Sequence, residues 1–283
     1  MRKEKKRNIF WSVITVICYI IAIGCILALL YIGAERKKSE LVAEAAKSDP
    51  LRQETVNAPA EEAEEEPQSS DVPETGESVI APEPVEVPID FDYLRGINSD
   101  IYAWICLGYS DQEYPVLQSS DDEYYLHHGI YGGYSADGAL FTESGYNDLS
   151  FDEPCTVIYG HNLASGAMFG RLENSASVLD LDKEDDERNY FTVYTQGGIR
   201  RYRIVSAGTY SNESILYRND FSTEKGFQGF FAKLKSYPEG GYKECSDRSP
   251  VFGDQLLILS TCHRYHSVHR YLAVAVLVEK QGI

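Results

Sequence analysis

The sequence predicts a mainly β protein carried behind a single N-terminal membrane helix. Three observations predict it. From Phe91 onward, aromatic and β-branched residues gather in short runs punctuated by Gly, Asp, Asn and Ser. About eight such runs fit into fewer than 200 residues, the pattern of a largely antiparallel barrel or sandwich. Upstream, Ile9 to Gly33 runs without a charge, and between the two regions lies an acidic, proline-rich segment.

Taken in order, residues 1–8 hold Arg2, Lys3, Lys5, Lys6 and Arg7 against a single Glu4. The apolar run 9–33 is about two dozen residues long, and at 1.5 Å per helical residue it can cross a hydrocarbon core of about 30 Å. The positive-inside tendency makes 1–8 a cytoplasmic tail and sends the chain after Gly33 to the extracellular face. A cleaved signal peptide would have an apolar core of only about 7–15 residues. Cys25 after Gly24 resembles a lipoprotein acceptor only faintly, since the apolar run continues beyond it to Gly33.

Residues 34–89 are expected to form a stalk. From Glu40 to Asp90 there are 15 acids against Lys47 and Arg52, and seven of the eleven prolines. Such a composition buries too little apolar surface to offset the entropy of ordering, and its like charges extend it. Within it Val72-Pro73-Glu74-Thr75-Gly76 stands out as a Pro- and Glu-rich pentapeptide. Much of the net charge of −18 sits here. That acidity excludes nucleic-acid binding, which needs Lys and Arg clustered against phosphates.

Residues 90–283 form the predicted folded domain. Asp90 is placed to cap a helical turn bearing Phe91, Leu94 and Ile97. Strands are predicted at Ala103 to Leu107, Tyr114 to Gln118, Ala139 to Thr142, Cys155 to Tyr159, Tyr190 to Thr195, Arg200 to Ala207, Gln255 to Ser260 and Leu272 to Val278. Ser222 is placed to cap a longer helix to about Ser236, in which Phe227, Phe230, Phe231 and Leu234 make one apolar stripe, and Pro238 ends it.

Of six cysteines, Cys18 and Cys25 fall in the membrane segment. Cys106 and Cys155 sit in apolar strand-like runs, where cysteine behaves as a small hydrophobe, and no disulfide framework is apparent. Cys262 differs. It ends one apolar strand, and Arg270 begins the next across a short polar connection. In an antiparallel hairpin such ends are neighbours, and a guanidinium there favours a thiolate and an oxyanion. Tyr159-Gly160-His161-Asn162 presents an imidazole from a glycine turn at a strand end. Nucleophilic cysteine chemistry needs a partner that titrates near ambient pH, and histidine fits.

These two segments, Leu259-Ser260-Thr261-Cys262 with Arg270 eight residues on and Tyr159-Gly160-His161-Asn162, resemble the signatures of the sortase family. YAWI at Tyr102, YPVLQ at Tyr114, DDEYYLHH at Asp121, GALF at Gly138 and MFGRL at Met168 follow in the order of its class B members, as does the helix near 222–236. The resemblance covers roughly residues 90–280. It implies a closed eight-stranded β-barrel with peripheral helices, and a cysteine transpeptidase of the Gram-positive cell surface without a cofactor. By that resemblance, Cys262 attacks the threonine carbonyl of a sorting signal, an LPxTG-like or NPQTN-like pentapeptide, and forms a thioacyl enzyme. His161 serves as general acid and base, and Arg270 stabilises the oxyanion. The acceptor is an amine of a peptidoglycan precursor or cross-bridge, or a pilin lysine. Ser260, Thr261 and Leu126 match positions near the signal groove. The stalk pentapeptide Val72 to Gly76 is similar to such a signal, although no hydrophobic span and basic tail follow it.

Two other functions compete. A cysteine endopeptidase would use the same residues with water as acceptor. A non-enzymatic anchored binding protein would leave Cys262, His161 and Arg270 without a common purpose. His263, His266 and His269 beside Cys262 raise a zinc site, but no second ligand pair such as C-x-x-C accompanies them, so no metal is expected. His263, adjacent to Cys262 along an extended strand, is expected to face away from the groove.

If the stalk contributes nothing to the core, a chain truncated to begin near Asp90 should melt cooperatively and cleave peptide about as well as one retaining the stalk. Aggregation or loss of the cooperative melt would place the boundary elsewhere.

Overall fold

The apolar runs after the stalk pair into a sheet that closes on itself. The computed structural model describes residues 2–47, 85–237, 241–262 and 268–282. The pentapeptide Val72 to Gly76, Pro238, His263 and His266 lie outside them.

The strands are β1 (Ile101–Leu107), β2 (Gln112–Leu117), β3 (Leu140–Phe141), β4 (Cys155–Tyr159), β5 (Tyr190–Thr195), β6 (Gly198–Ser211), β7 (Lys243–Glu244), β8 (Leu256–Cys262) and β9 (His269–Gly282). They lie in the order β5-β1-β2-β3-β4-β8-β9-β6, and β6 pairs back onto β5, so eight strands close a barrel, with β7 added at β6. The closed eight-stranded barrel expected from the resemblance is thus present. Most pairings are antiparallel, but β2 runs parallel to β3 and β4 parallel to β8.

β6 and β9 are longer than their apolar content predicts. Their pairing runs from Gly198↔Gly282 to Ser211↔His269, with two register shifts. Polar residues such as Glu279 and Gln281 stay in the strand because the partner's hydrogen bonds hold them there, whatever their side chains prefer. The core between the strands is apolar, with Trp104, Val157, Phe191, Val205, Leu259 and Val274 fully buried.

Two guanidiniums are buried on β6. Arg200 bonds to Asp152 at 3.0 Å and Arg203 to Asp247 at 3.1 Å. Each buried cation therefore has a carboxylate partner, without which its desolvation would cost several kcal/mol.

Of the helices in this unit, α2 (Phe91–Ile97) starts as predicted, with Asp90 accepting from the Tyr93 N–H at 2.8 Å. Short helices α3 (Leu172–Val178) and α4 (Ile215–Arg218) precede α5 (Glu224–Lys235). The expected cap of α5 moves by one residue. Thr223 accepts from the Gly226 N–H, while the Ser222 hydroxyl is taken by Asp220 at 2.6 Å. Phe227, Phe230, Phe231 and Leu234 are buried as their spacing predicts.

The N-terminal unit is one helix, α1 (Arg2–Ala45). Its stretch Ile17–Ala34 has a mean hydropathy of 2.5, long and apolar enough to cross a membrane. Apolar side chains along it, Ile20 and Leu30 among them, are exposed. The helix extends beyond the uncharged run on both sides.

Phe230 packs its ring within 5.1–5.3 Å of the rings of Phe221, Phe231 and Tyr210. Phe230→Ala is expected to lower stability by about 3–5 kcal/mol in urea denaturation. A loss below about 1 kcal/mol would show that α5 does not seal the barrel wall.

Candidate active site

The parallel pairing of β4 with β8 ends at Tyr159↔Ser260, and the Gly160 N–H continues it by donating to the Ser260 carbonyl at 3.1 Å. Counting two residues onward along each strand reaches His161 and Cys262. On the other side of β8, the antiparallel register pairs Cys262 directly with Arg270. The three residues that the sequence singles out therefore leave the same end of three adjacent strands, β4, β8 and β9.

Close packing sets where His161 stands. A Cβ on Gly160 would lie 2.3 Å from Leu140 Cδ2 and 2.8 Å from Phe169 Cδ2, so only glycine lets the chain leave β4 on this path. The Phe169 N–H donates to the His161 carbonyl at 3.2 Å, and Asn162 bridges to Met168. The imidazole Nε2 lies 2.8 Å from the Leu126 carbonyl oxygen. A carbonyl can only accept, so Nε2 carries the hydrogen and Nδ1 is the nitrogen left for proton exchange.

Leu126 ends a 3-10 turn (Tyr124–Leu126) in the connection between β2 and β3. That connection is fastened by the Tyr125 hydroxyl, which donates to Asp100 at 2.7 Å. Gly138, at φ +62°, passes so near that a Cβ would meet the Tyr125 carbonyl at 2.5 Å and His161 Cδ2 at 3.1 Å. The family resemblance implies a position near the signal groove for Leu126; what the structure shows is its main-chain carbonyl holding His161. The His127 ring lies 6.5 Å from that of His161.

Ser260 and Thr261 are 2% and 1% exposed, and their hydroxyls have no hydrogen-bond partner among the described residues. His269 pairs with Ser211 at the start of β9, its ring edge-on to Tyr237 at 5.4 Å.

The other cysteines of the barrel unit are held as thiols. Burial pushes Cys106 up to about 12, Cys245 up to about 11 and Cys155 well above its ordinary value. None of these three is a nucleophile at neutral pH.

Among the described residues one cluster brings three potential metal ligands together, Asp182, Cys245 and Asp247. Arg203 already occupies it, donating to Asp247 at 3.1 Å and to Cys245 Sγ at 3.4 Å. A resident guanidinium disfavours a second cation there.

Sequence reasoning passed over Glu143. Its carboxylate accepts from the Tyr159 hydroxyl at 3.0 Å, and burial raises its pKa. Burial and Glu143 also push the Tyr159 phenol far above its ordinary range, against which the Arg270 charge acts. Nothing local marks Glu143, because its partner Tyr159 comes from β4, 16 residues away.

Gly160→Ala is expected to destabilise the protein by about 1–3 kcal/mol by forcing Leu140 and Phe169 apart. Gly229→Ala, on α5 with open space around it, should be neutral or stabilising by up to about 1 kcal/mol. Equal melting shifts for the two would show that Gly160 is not sterically required.

No family model matches the chain. Curated relatives do. Sortase B of Listeria monocytogenes is 29% identical over 180 residues, covering 62% of this chain and 68% of the relative. Sortase B of Staphylococcus aureus is 26% identical over 193 residues, covering 67% and 75%. Among solved structures, sortase B from Bacillus anthracis superposes with a TM-score of 0.53 at 28% identity, covering 67% of this chain and 84% of that one. Sortase B of Clostridium perfringens shares the fold, with a TM-score of 0.55 at 24% identity, covering 67% of this chain and all of that one. With two signatures meeting at one end of the same closed barrel, the chain is by sequence and by fold a relative of the class B sortases.

Proposed function

We propose that this chain is a membrane-anchored cysteine transpeptidase that cleaves a sorting signal after threonine and passes the acyl group to an amine. The observation that carries the reading is the convergence of His161, Cys262 and Arg270 at one end of β4, β8 and β9 in a relative of the class B sortases. Among the structural neighbours, a Staphylococcus aureus sortase B was solved as a substrate complex and another sortase B complexed with triglycine.

In this reading the Cys262 thiol gives its proton to His161 Nδ1, and the thiolate attacks the threonine carbonyl carbon. The carbonyl electron pair moves to oxygen, and the Arg270 guanidinium stabilises the oxyanion; one such donor typically contributes about 3 kcal/mol. As the tetrahedral intermediate collapses, the C–N bond breaks and His161 protonates the departing amine from Nδ1. The thioester that remains is attacked by the acceptor amine, whose proton His161 Nδ1 takes, and the C–S bond breaks to release the Cys262 thiolate as the amide forms. Its Nε2–H stays on the Leu126 carbonyl throughout, so the ring keeps its orientation while Nδ1 works. General acid–base help of this kind contributes about 10²- to 10⁴-fold.

The anchor is the apolar stretch of α1, and the Lys- and Arg-rich first turns of that helix keep its N-terminus in the cytoplasm and send the barrel to the extracellular face. Residues 34–89 then serve as the spacer between the membrane and the barrel unit. The acceptor is an amine of the cell wall or a pilin lysine.

His161→Ala should reduce cleavage of a fluorogenic sorting peptide to nearly the level of Cys262→Ala. His263→Ala, His266→Ala and His269→Ala should each keep most activity. Arg270→Lys should be poorly active, because one ammonium does not reproduce a planar fork of donors. An added amine should divert the product from acid to amide. Robust turnover by folded His161→Ala overturns the assignment, and a product that stays the free acid at every amine concentration makes the enzyme a hydrolase.

A further inference from the structure

Tyr159, Ser260 and Leu272 are in register across β4, β8 and β9, and Arg270 lies two residues nearer the site along β9. With strands about 4.8 Å apart and two residues adding about 6.7 Å along β9, Tyr159 and Arg270 stand roughly 12 Å apart at the backbone. Their long side chains share a face of the sheet, with the small Ser260 between them. The Arg270 charge acts on the Tyr159 phenol.

On the far side of Tyr159 the row continues. Phe141 of β3 pairs with Tyr159 and stacks on its ring at 5.5 Å. Glu143, two residues beyond Phe141, accepts the Tyr159 O–H at 3.0 Å. Ser214, the cap of α4, lies near the same carboxylate and favours its charged form. Glu143, Tyr159, Ser260 and Arg270 thus form a line over β3, β4, β8 and β9.

The direction of the hydrogen bonds gives the line a function. Because Tyr159 gives its proton to Glu143, the phenol oxygen presents lone pairs, and a guanidinium has only donors to offer them. We propose that Glu143 is a positioning residue that, through the Tyr159 hydroxyl, sets the orientation of Arg270 at the end of β9. The inference rests on the reading of Arg270 as the oxyanion donor. It adds a tether from the opposite side of β8, contributed by a residue outside both signature segments.

Two measurements test it on the full chain in lipid nanodiscs. In peptide cleavage, Glu143→Ala and Tyr159→Phe should each lower kcat about tenfold or more with KM nearly unchanged. Adding Glu143→Ala to Tyr159→Phe should cost nothing further. Glu143→Gln should retain most activity, since its amide carbonyl still accepts the phenol proton. Independent, multiplying losses in the double variant would overturn the proposal, as would a Glu143→Ala enzyme with wild-type kcat. The second measurement needs no turnover. With arginine labelled at Nε and the Arg270 resonance assigned by its loss in Arg270→Lys, exchange with water should be slow in the wild type. It should quicken about tenfold in Glu143→Ala and return in Glu143→Gln. Unchanged exchange in Glu143→Ala overturns the inference whether or not the enzyme turns over. A wild type that cleaves no peptide overturns the transpeptidase reading instead and leaves the exchange result to decide this one.

Discussion

Residues Cys155–Tyr159 of β4 and Leu256–Ser260 of β8 run side by side in the same direction, and the site hangs on that parallel ladder. Parallel neighbours cannot be joined by a tight turn, so the chain from α3 to β7 lies between them. In return, whatever the two strands carry at their C-terminal ends is delivered together. The turn after β4 carries His161, and β8 ends at Cys262. Had the pair been antiparallel, the two would lie at opposite ends of the barrel. The β8–β9 pairing, antiparallel and near in sequence, then needs only its register to add Arg270.

Steric crowding turns that approximate delivery into a defined position. Gly160 passes between Leu140 and Phe169 with no space for a Cβ, and Gly138 brings the β2–β3 connection against the imidazole. The Leu126 carbonyl then selects the tautomer. None of these three contributes a reacting atom. For the proposed general acid and base the nitrogen left free must be the working one, and packing and one backbone hydrogen bond leave Nδ1 in that place.

The same barrel separates one cysteine environment from the others. Cys106, Cys155 and Cys245 are raised above their ordinary values chiefly by burial, which leaves them protonated. Cys262 ends its strand in register with Arg270. The buried Arg200 and Arg203 are held by carboxylates away from that end, so cations in this fold have two separate uses: structural pairing within β6, and positive charge at the end of β9.

Much of this was legible in the residues themselves. The uncharged run before Gly33, the aromatic stripe of α5, most strands and the Cys262–Arg270 hairpin follow from local pattern, because apolar periodicity and short-range pairing are properties of a contiguous segment. The closed barrel, and the proposed partnership of His161 with Cys262, were legible only through the resemblance of their surrounding motifs to a known family. The tertiary structure alone decided the rest. It set the extra length of β6 and β9, which partner hydrogen bonds sustain, and the shift of the α5 cap to Thr223 after Asp220 captured Ser222. It also set the carbonyl that orients His161 and the carboxylate that takes the Tyr159 proton. Leu126 lies 35 residues from His161, and Glu143 lies 16 from Tyr159. Contacts across such separations arise from barrel closure, and no local composition or period records them.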